Sequence, residues 1–413
     1  MKVLVVSSKY PPEYSGSGLR AHNTYLRLRE KFGIEFEVIT SSTSDYESTR
    51  YEFENVSVER IMSRNLRRIN RLMVRTPFSR VTNALVFNSE VRKVTRKLNS
   101  KTFDLVHTFG FSPATSAAIH HSIRNQTPLI IELVNTGATP LQSIPGRNRL
   151  VADQLKNRSA IVAISAALGD HSKNLGLVNN TWTRPNPVDP SAFSAISHSE
   201  RQTAMSTLVP GWEDKKIVLY IAKFLDRKNH SFLIDVLKHL PDDFRLLLGG
   251  PPLMDNDLVP GLKRNELESL EIKARSLGVS HRMKLKPGFL DMAEYLKIAD
   301  VFCFPARDEG MGTPLLEAIA SGVPVVANEE EPSFQEWIRP GDNGFLAPFD
   351  PEVWAEKIQT ASGISLDQRK LMSVRILEVA SVDAIDAQYF KMLEALSSSA
   401  PDEEFDVNDV LGS

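Results

Sequence analysis

The chain has 413 residues, with 49 Lys and Arg against 51 Asp and Glu, a formal net charge of −2 and a single cysteine. That length accommodates two domains of ordinary size, each able to bury its own core. The near-zero charge excludes a general attraction to nucleic acid, one cysteine excludes an internal disulfide, and no apolar run approaches the length of a membrane-spanning helix.

Lys2 to Ser7 predicts a buried first strand. Its four apolar residues, Val3 to Val6, are too few for a signal-peptide core, so a cytoplasmic chain is expected. A loop from Lys9 to Gly18 leads into a helix from Leu19 to about Phe32. Gly16-Ser-Gly18-Leu-Arg-Ala21 formally fits the dinucleotide fingerprint, which requires a tight turn straight out of the strand. Here two prolines intervene, and the second strand, Glu35 to Thr40, ends in Thr rather than in an acid that would hold a ribose. Arg60 to Arg80 holds seven arginines and no acid, with Arg60, Arg64, Arg67, Arg71 and Arg75 on one helical face and Met62, Leu66, Ile69 and Met73 on the other. Its plainer reading is a surface helix packed on the N-terminal sheet; the alternative is peripheral contact with an anionic membrane surface or an anionic acceptor. A helix from about Val81 to Leu98, a strand at Leu105 to His107, a helix at Pro113 to Arg124 and a strand at Pro128 to Val134 follow. Asn135 and Thr136 follow that strand, and His107 ends the strand before it. Ala160 to Ile164 predicts another strand, and the Pro-rich stretch from 185 to 203 an interdomain linker.

The second half begins with a strand from Lys216 to Ala222, followed by Lys223, Arg227 and Lys228 in a basic turn. Strands at Phe244 to Leu248 and Met283 to Lys286 each run into a glycine turn. Asp300 to Phe304 predicts a buried strand. A loop through Glu309, Gly310, Met311 and Gly312 leads to a helix capped by Thr313, with Pro314 first inside it. That helix ends at Gly322, and Val323 to Ala327 is the next strand. Glycines let backbone approach a ligand, and a helix start offers unpaired N–H groups and a positive dipole end, which suit a diphosphate. Glu309 and Glu317 are hydroxyl acceptors on either side, of the kind that hold sugar or ribose. Glu329 to Glu331 reads as a solvated acidic loop without a role. Three helical patterns close the chain, and the acidic, Ser-rich residues from Ser397 predict a disordered tail. No Cys/His cluster and no D-x-D pair suggests a metal, and no aromatic–basic platform suggests nucleic acid.

Glu309-Gly-Met-Gly-Thr-Pro-Leu-Leu-Glu317-Ala resembles the E-x7-E signature, commonly E-G-F-G-L-P-L-L-E-A, of retaining GT-B glycosyltransferases. These form the glycogen synthase-like family 4 group, also called glycosyl transferases group 1. The resemblance extends to Pro11-Pro12-Glu-Tyr-Ser15-Gly16, similar to a P-P-x-x-G-G loop, and to Pro185-Asn186-Pro187-Val188-Asp189, similar to P-N-G-V-D. It also includes Lys223 to Lys228, where the group has G-R-x-x-x-x-K-G. Ser15, Pro187 and Lys223 depart from those patterns, and no His follows Val134.

The resemblance implies an α/β GT-B fold of two doubly wound Rossmann-like domains facing a central cleft. The expected domains are an acceptor-side one over 1–190, completed by a helix at about 382–396, and a nucleotide-sugar-binding one over 204–380, with 397–413 as the tail. It implies retaining, metal-independent transfer from a UDP-, GDP- or ADP-sugar co-substrate, with no other cofactor, to a glycan or lipid-linked glycan. Glu309, Lys223 and Lys228 would carry the chemistry. Gly16, Glu317, Gly310, Met311, Gly312, Thr313 and Leu315 would hold the donor, and with no His after Val134 the acceptor-side candidates are Asn135, Thr136 and His107. The alternatives are a non-catalytic GT-B subunit binding nucleotide or glycan, and a GT-B relative such as a sugar epimerase or phosphorylase.

Overall fold

The computed structural model describes residues 1–13, 15–41, 49–73, 76–134, 153–252, 267–309, 311–400 and 403–412. By contacts the chain divides into two units, Met1–Arg184 with Ile385–Ser413, and Pro185–Ala384. The sequence placed these edges near 190 and 382.

The first unit is built on strands β1 (Lys2–Ser7), β2 (Glu35–Thr40), β3 (Thr49–Phe53), β4 (Val56–Arg60), β5 (Leu105–Phe109), β6 (Leu129–Leu133), β7 (Ser159–Ala163) and β8 (Thr181–Thr183). They lie in the order β3-β4-β2-β1-β5-β6-β7-β8. All neighbours are parallel except β3 and β4, an antiparallel hairpin. Its two turn residues, Glu54 and Asn55, both take the left-handed conformation, matching the twist of the strands they join. The central strands are buried from end to end, as near-continuous apolar runs require when helices cover both faces of a sheet.

The first helix spans Gly16–Phe32 and so starts earlier than predicted. Ser15 is its cap and accepts from Gly18 N–H at 2.9 Å, which gives the departure from Gly-Gly a structural use. Gly18 is the glycine that packing demands, since a Cβ there would lie 2.3 Å from the Lys9 carbonyl oxygen, whereas a Cβ on Gly16 would meet nothing within 4 Å.

Arg60 to Arg80 is not one helix. Arg60 ends β4, the helix Arg64–Met73 follows, and the helix Ser79–Leu98 begins after a turn. Two of the expected face residues are buried instead, Arg60 against the Tyr51 ring and Met62 in the connection. Arg67 is held by the buried Glu90 through Nε at 2.6 Å and Nη2 at 2.7 Å. Strand pairing with β2 and this ion pair override the helical periodicity. No helix among the described residues is long and apolar enough to cross a membrane.

The predicted tail is also corrected. The helix Val382–Ser398 places Ile385, Tyr389, Met392, Leu393 and Leu396 in the first unit's core, and Phe405 and Val407 join the same cluster. Phe405 N–H and Val407 N–H donate to the carbonyls of Lys156 and Asn179. Two apolar anchors among acidic residues are enough to dock the segment.

The first unit also holds a sealed polar cluster. Glu132, fully buried on β6, accepts from Arg184 Nη2 at 2.7 Å and from Tyr389 Oη at 2.7 Å, and Arg20 approaches at 3.4 Å. Arg184 also donates from Nε to Tyr389 Oη at 3.0 Å. Burial pushes the Glu132 carboxyl upward, but Arg184, His107 and Arg20 outweigh it and hold the group well below the usual range. Arg184 is the last residue before the crossing into the second unit, and Tyr389 lies just after the return. One carboxylate thus ties both crossings to the first unit.

The second unit has strands β9 (Lys216–Ile221), β10 (Phe244–Gly250), β11 (Met283–Pro287), β12 (Val301–Phe304), β13 (Val325–Asn328) and β14 (Gly344–Ala347). The order is β11-β10-β9-β12-β13-β14, all parallel. The winding reverses between β9 and β12. In open parallel sheets, ligands bind at the carboxyl ends flanking such a reversal.

Candidate active site

Two loops leave the carboxyl ends of β9 and β12. The first carries Lys223, Arg227 and Lys228; the second carries Glu309 and leads to Gly312. The structure brings Arg227, Lys228 and Glu309 together. Arg227 Nη1 donates to Glu309 Oε1 at 2.7 Å, and Lys228 Nζ pairs with the same oxygen. Arg307 N–H donates to the Arg227 carbonyl at 2.9 Å, so the loops are also joined through backbone. Burial lowers the Lys228 ammonium from its usual range, and Glu309 opposes that shift. Lys223 is half-buried just past β9.

The basic loop is locked from below. Tyr220 Oη donates to the Lys228 carbonyl at 2.9 Å, and His230 Nε2 donates to the Ala222 carbonyl at 3.2 Å. His230 is stacked on Phe224, with ring centroids 4.4 Å apart. Burial pushes its pKa down to about 3, so it serves as a neutral donor at physiological pH.

The acidic loop is held by residues after β13. Glu331 accepts from Asp308 N–H at 2.6 Å and from Glu309 N–H at 3.2 Å, and Asn328 Nδ2 donates to the Ala306 carbonyl at 3.2 Å. Glu331 is therefore not a solvated residue without a role, as the sequence suggested. It is buried and fixes the turn that presents Glu309. A run of three glutamates hides which one turns inward; only the β12–β13 pairing brings Glu331 beneath this loop.

The helix at this site spans Thr313–Ala320, and its cap is Gly312 rather than Thr313. Gly312 has φ 71°, and a Cβ there would lie 2.8 Å from both the Phe304 and Phe334 rings. Only glycine fits that backbone and that gap. The Thr313 side chain accepts from Asn186 Nδ2 at 2.6 Å, and Asn186 N–H donates to Met311 Sδ at 3.2 Å. The Pro185–Asn186 segment therefore braces the helix start. Met311 and Leu315, expected at the donor, have buried side chains, and Leu315 N–H already donates to the Gly312 carbonyl. Their side chains pack, because a short helix between two strands must seat its apolar residues on the sheet; the contact expected of them at the donor is one of backbone. The N–H groups of Gly312 and Thr313 meet no acceptor among the described residues.

Glu317 lies one turn further along. No donor among the described residues reaches its carboxylate, and burial raises its pKa to about 7. A carboxylate left unpaired in a partly apolar setting is costly, and such costs concentrate at functional sites. Gly310, Asn135 and Thr136 lie outside the described residues. His107, expected near a strand end, is in the middle of β5 and fully buried. Its Nδ1 lies 2.8 Å from Tyr25 Oη, and its Nε2 lies 3.4 Å from Glu132. It belongs to the sealed cluster, because alternation along β5 turns it into the core. Among the described residues no group of three or more His, Cys, Asp or Glu is gathered in a way that could hold a metal ion.

Comparison with known proteins adds a family to this geometry. Residues 209–371 match the family model described as glycosyl transferases group 1. The lipopolysaccharide core biosynthesis glycosyltransferase LpsE of Rhizobium meliloti is 31% identical over 205 residues, which cover 49% of this chain and 54% of LpsE. The D-inositol 3-phosphate glycosyltransferase of Xylanimonas cellulosilytica is 27% identical over 221 residues, covering 52% of this chain and 48% of that protein. The chain thus spans about half the length of these two curated relatives. Among solved structures, Anabaena Alr3699/HepE in complex with UDP superposes with a TM-score of 0.72 at 18% identity, covering 96% of this chain and all of that one. The two doubly wound sheets are those of the GT-B fold, and within this chain residues 209–371 carry the match to glycosyl transferases group 1.

Proposed function

We propose that the chain is a retaining hexosyltransferase that moves a sugar from a nucleotide-sugar donor to a glycan or lipid-linked glycan, without an essential metal. The observation that carries this reading is Glu317. It is a partly buried carboxylate that no donor among the described residues reaches, one turn into a helix that follows the loop carrying Glu309 at the β9–β12 reversal. In this reading Glu317 accepts the ribose hydroxyls. Lys228 and Arg227, with Lys223 nearby, neutralise the diphosphate as it leaves. Glu309 holds the two cations until the donor arrives and then faces the sugar ring. The N–H groups of Gly312 and Thr313 add a positive dipole end. The leaving diphosphate bears the largest charge that develops, so stabilisation there dominates the rate. Gly16 is a further candidate for backbone contact with the donor, carried by the resemblance of its loop. Anabaena HepE was solved with UDP and with UDP-glucose, which supports testing UDP-sugars first.

The test is a thermal-shift and nucleotide-release screen of the purified chain against UDP-, GDP- and ADP-sugars, with and without EDTA. Stabilisation by one nucleotide, with slow release unaffected by EDTA, is expected. If none of the three stabilises the protein, the donor assignment is wrong and a non-catalytic role replaces it. Product formed without net transfer, or only with free phosphate, would indicate an epimerase or phosphorylase instead.

Peripheral membrane contact is part of the same proposal. Ile69, Leu72, Phe78, Val81 and Leu85 are exposed on the two helices after β4, and Arg68, Arg71 and Arg80 are exposed beside them. That pairing fits an anionic bilayer. Co-sedimentation with phosphatidylglycerol vesicles but not with phosphatidylcholine vesicles is expected. Equal recovery with both would remove this part.

A further inference from the structure

Beside the edge of the first unit's sheet is a cavity of about 430 Å³ that no part of the donor chemistry uses. It lies between the β3–β4 hairpin and the last turns of the helix Ser79–Leu98. Among the described residues its charged lining is Arg50, Arg60, Lys93, Arg96 and Lys97 against one carboxylate, Glu59. Glu59 is already engaged by Lys97 at 2.9 Å, and more loosely by Arg50 at 3.7 Å. We propose that this cavity binds the phosphate group of an anionic acceptor.

Three observations carry the proposal. First, like charges converge on a concave surface at a cost in repulsion, and among the described residues of the lining one carboxylate faces five cations. Second, the Arg60 guanidinium is set in place rather than solvated. It is 5% exposed, its carbon lies 4.7 Å from the Tyr51 ring centroid, and Nη2 donates to Tyr51 Oη at 3.3 Å. Tyr51 Oη in turn donates to the Pro11 carbonyl at 2.8 Å, which ties the cavity floor to the loop that precedes Gly16. Third, Arg60 pairs with Thr40 at the carboxyl ends of the parallel strands β4 and β2, the edge where parallel sheets take ligands. The Arg96 guanidinium suits the planar, bidentate recognition of phosphate oxygens, Arg60 adds a fixed charge at the floor, and Lys93 and Lys97 add point charge.

The word acceptor rests on the transferase reading; the phosphate site does not. Calorimetry on the full chain would use glycerol 3-phosphate, dihexanoyl phosphatidate and, as a neutral control, glycerol, with the nucleotide-sugar thermal shift recorded on the same preparations. Saturable binding of a phosphate ester but not of glycerol is expected, weakened about tenfold by Arg96→Gln through loss of a charge-assisted hydrogen bond. Arg60→Lys, which keeps the charge but loses the fork that fixes it against Tyr51, should weaken it several-fold. Preference for the phosphatidate would assign a lipid source, and equal binding of the two a soluble phosphate ester; both support the site. Absence of saturable binding, or unchanged affinity in Arg96→Gln, would overturn it. Phosphate binding without any nucleotide response would keep the site but overturn its assignment to an acceptor.

Discussion

Each unit gathers a carboxylate with cations near the crossover of its sheet, and the two clusters end in opposite states. Around Glu132 everything is closed: both carboxylate oxygens are used, Arg184 and Tyr389 are buried with it, and its pKa is driven down. Around Glu309 and Glu317 the second unit stops short of closure. Glu309 shares one oxygen between Arg227 and Lys228, and Glu317, one turn into the following helix, meets no donor among the described residues and has its pKa raised to about 7. On the proposed function, the difference separates a carboxylate that holds a fold from one kept ready for a ligand. Burial raises the cost of ionisation in both places, but only the first unit supplies the partners that repay it.

Breaking the sealed cluster should give the largest effect on stability. Arg184→Ala leaves Glu132 charged and buried without its main partner, and should cost about 3–5 kcal/mol in urea unfolding. A loss below about 1 kcal/mol would show that water enters and that the cluster is not sealed. The mirror experiment is Glu317→Ala, which should leave the unfolding midpoint nearly unchanged yet reduce nucleotide-sugar turnover by about 100-fold or more. Unchanged kinetics in that variant would remove Glu317 from the donor site.

The two carboxylates also differ in how they respond to pH. Glu317 has its folded pKa raised to about 7 by burial. Between its unfolded pKa and about 7 the folded state holds the extra proton, so this group's contribution to stability falls as pH rises through that window and then levels off. Glu317→Gln should therefore be more stable than the wild type near pH 8, by on the order of 1 kcal/mol after allowance for partial exposure. The two should converge at about pH 4, below the unfolded pKa. A difference that does not change with pH would mean that burial is not the cause. Glu132 carries the opposite sign, since its lowered pKa supplies stability that is lost only in strong acid.

A smaller effect is expected from loosening the site without touching its open carboxylate. Glu331→Ala removes the acceptor of the Asp308 and Glu309 N–H groups, and should raise KM about tenfold with a modest fall in Tm. If kcat falls while KM stays constant, Glu331 acts on the transition state rather than through the loop. The smallest structural effect should come from Gly16→Ala. A Cβ there meets only open space, so any loss of turnover, expected to be a few-fold, reports a ligand rather than the fold. Gly18→Ala is its control, since that Cβ would collide with the Lys9 carbonyl and should lower Tm directly.

Much of this molecule is legible in one dimension because its parts are local. Buried parallel strands appear as unbroken apolar runs such as Val3 to Val6, and a helix after Gly312 is marked by Pro314 and ended by Gly322. The spacing of Glu309 and Glu317 needs only the loop and helix that contain them. Other features depend on residues far apart in the chain. Glu331 looks like any solvated acid until β13 pairs beside β12, and Arg60 looks like part of a helical stripe until β4 pairs with β2. Arg227 joins Lys228 on Glu309 only because the β9 and β12 loops flank the sheet reversal. His107 reads as a ligand candidate until Glu132, Arg184 and Tyr389 close over it, and an acidic tail reads as disordered until Phe405 and Val407 find the core. Periodicity and turn chemistry are properties of neighbours, and the sequence by itself determined most of the buried strands and helices and the two signature carboxylates, though not the β3–β4 hairpin or the docked tail. Which of its many charges is sealed and which is left open depends on the desolvation and partners that the tertiary structure supplies, and only that structure decided it.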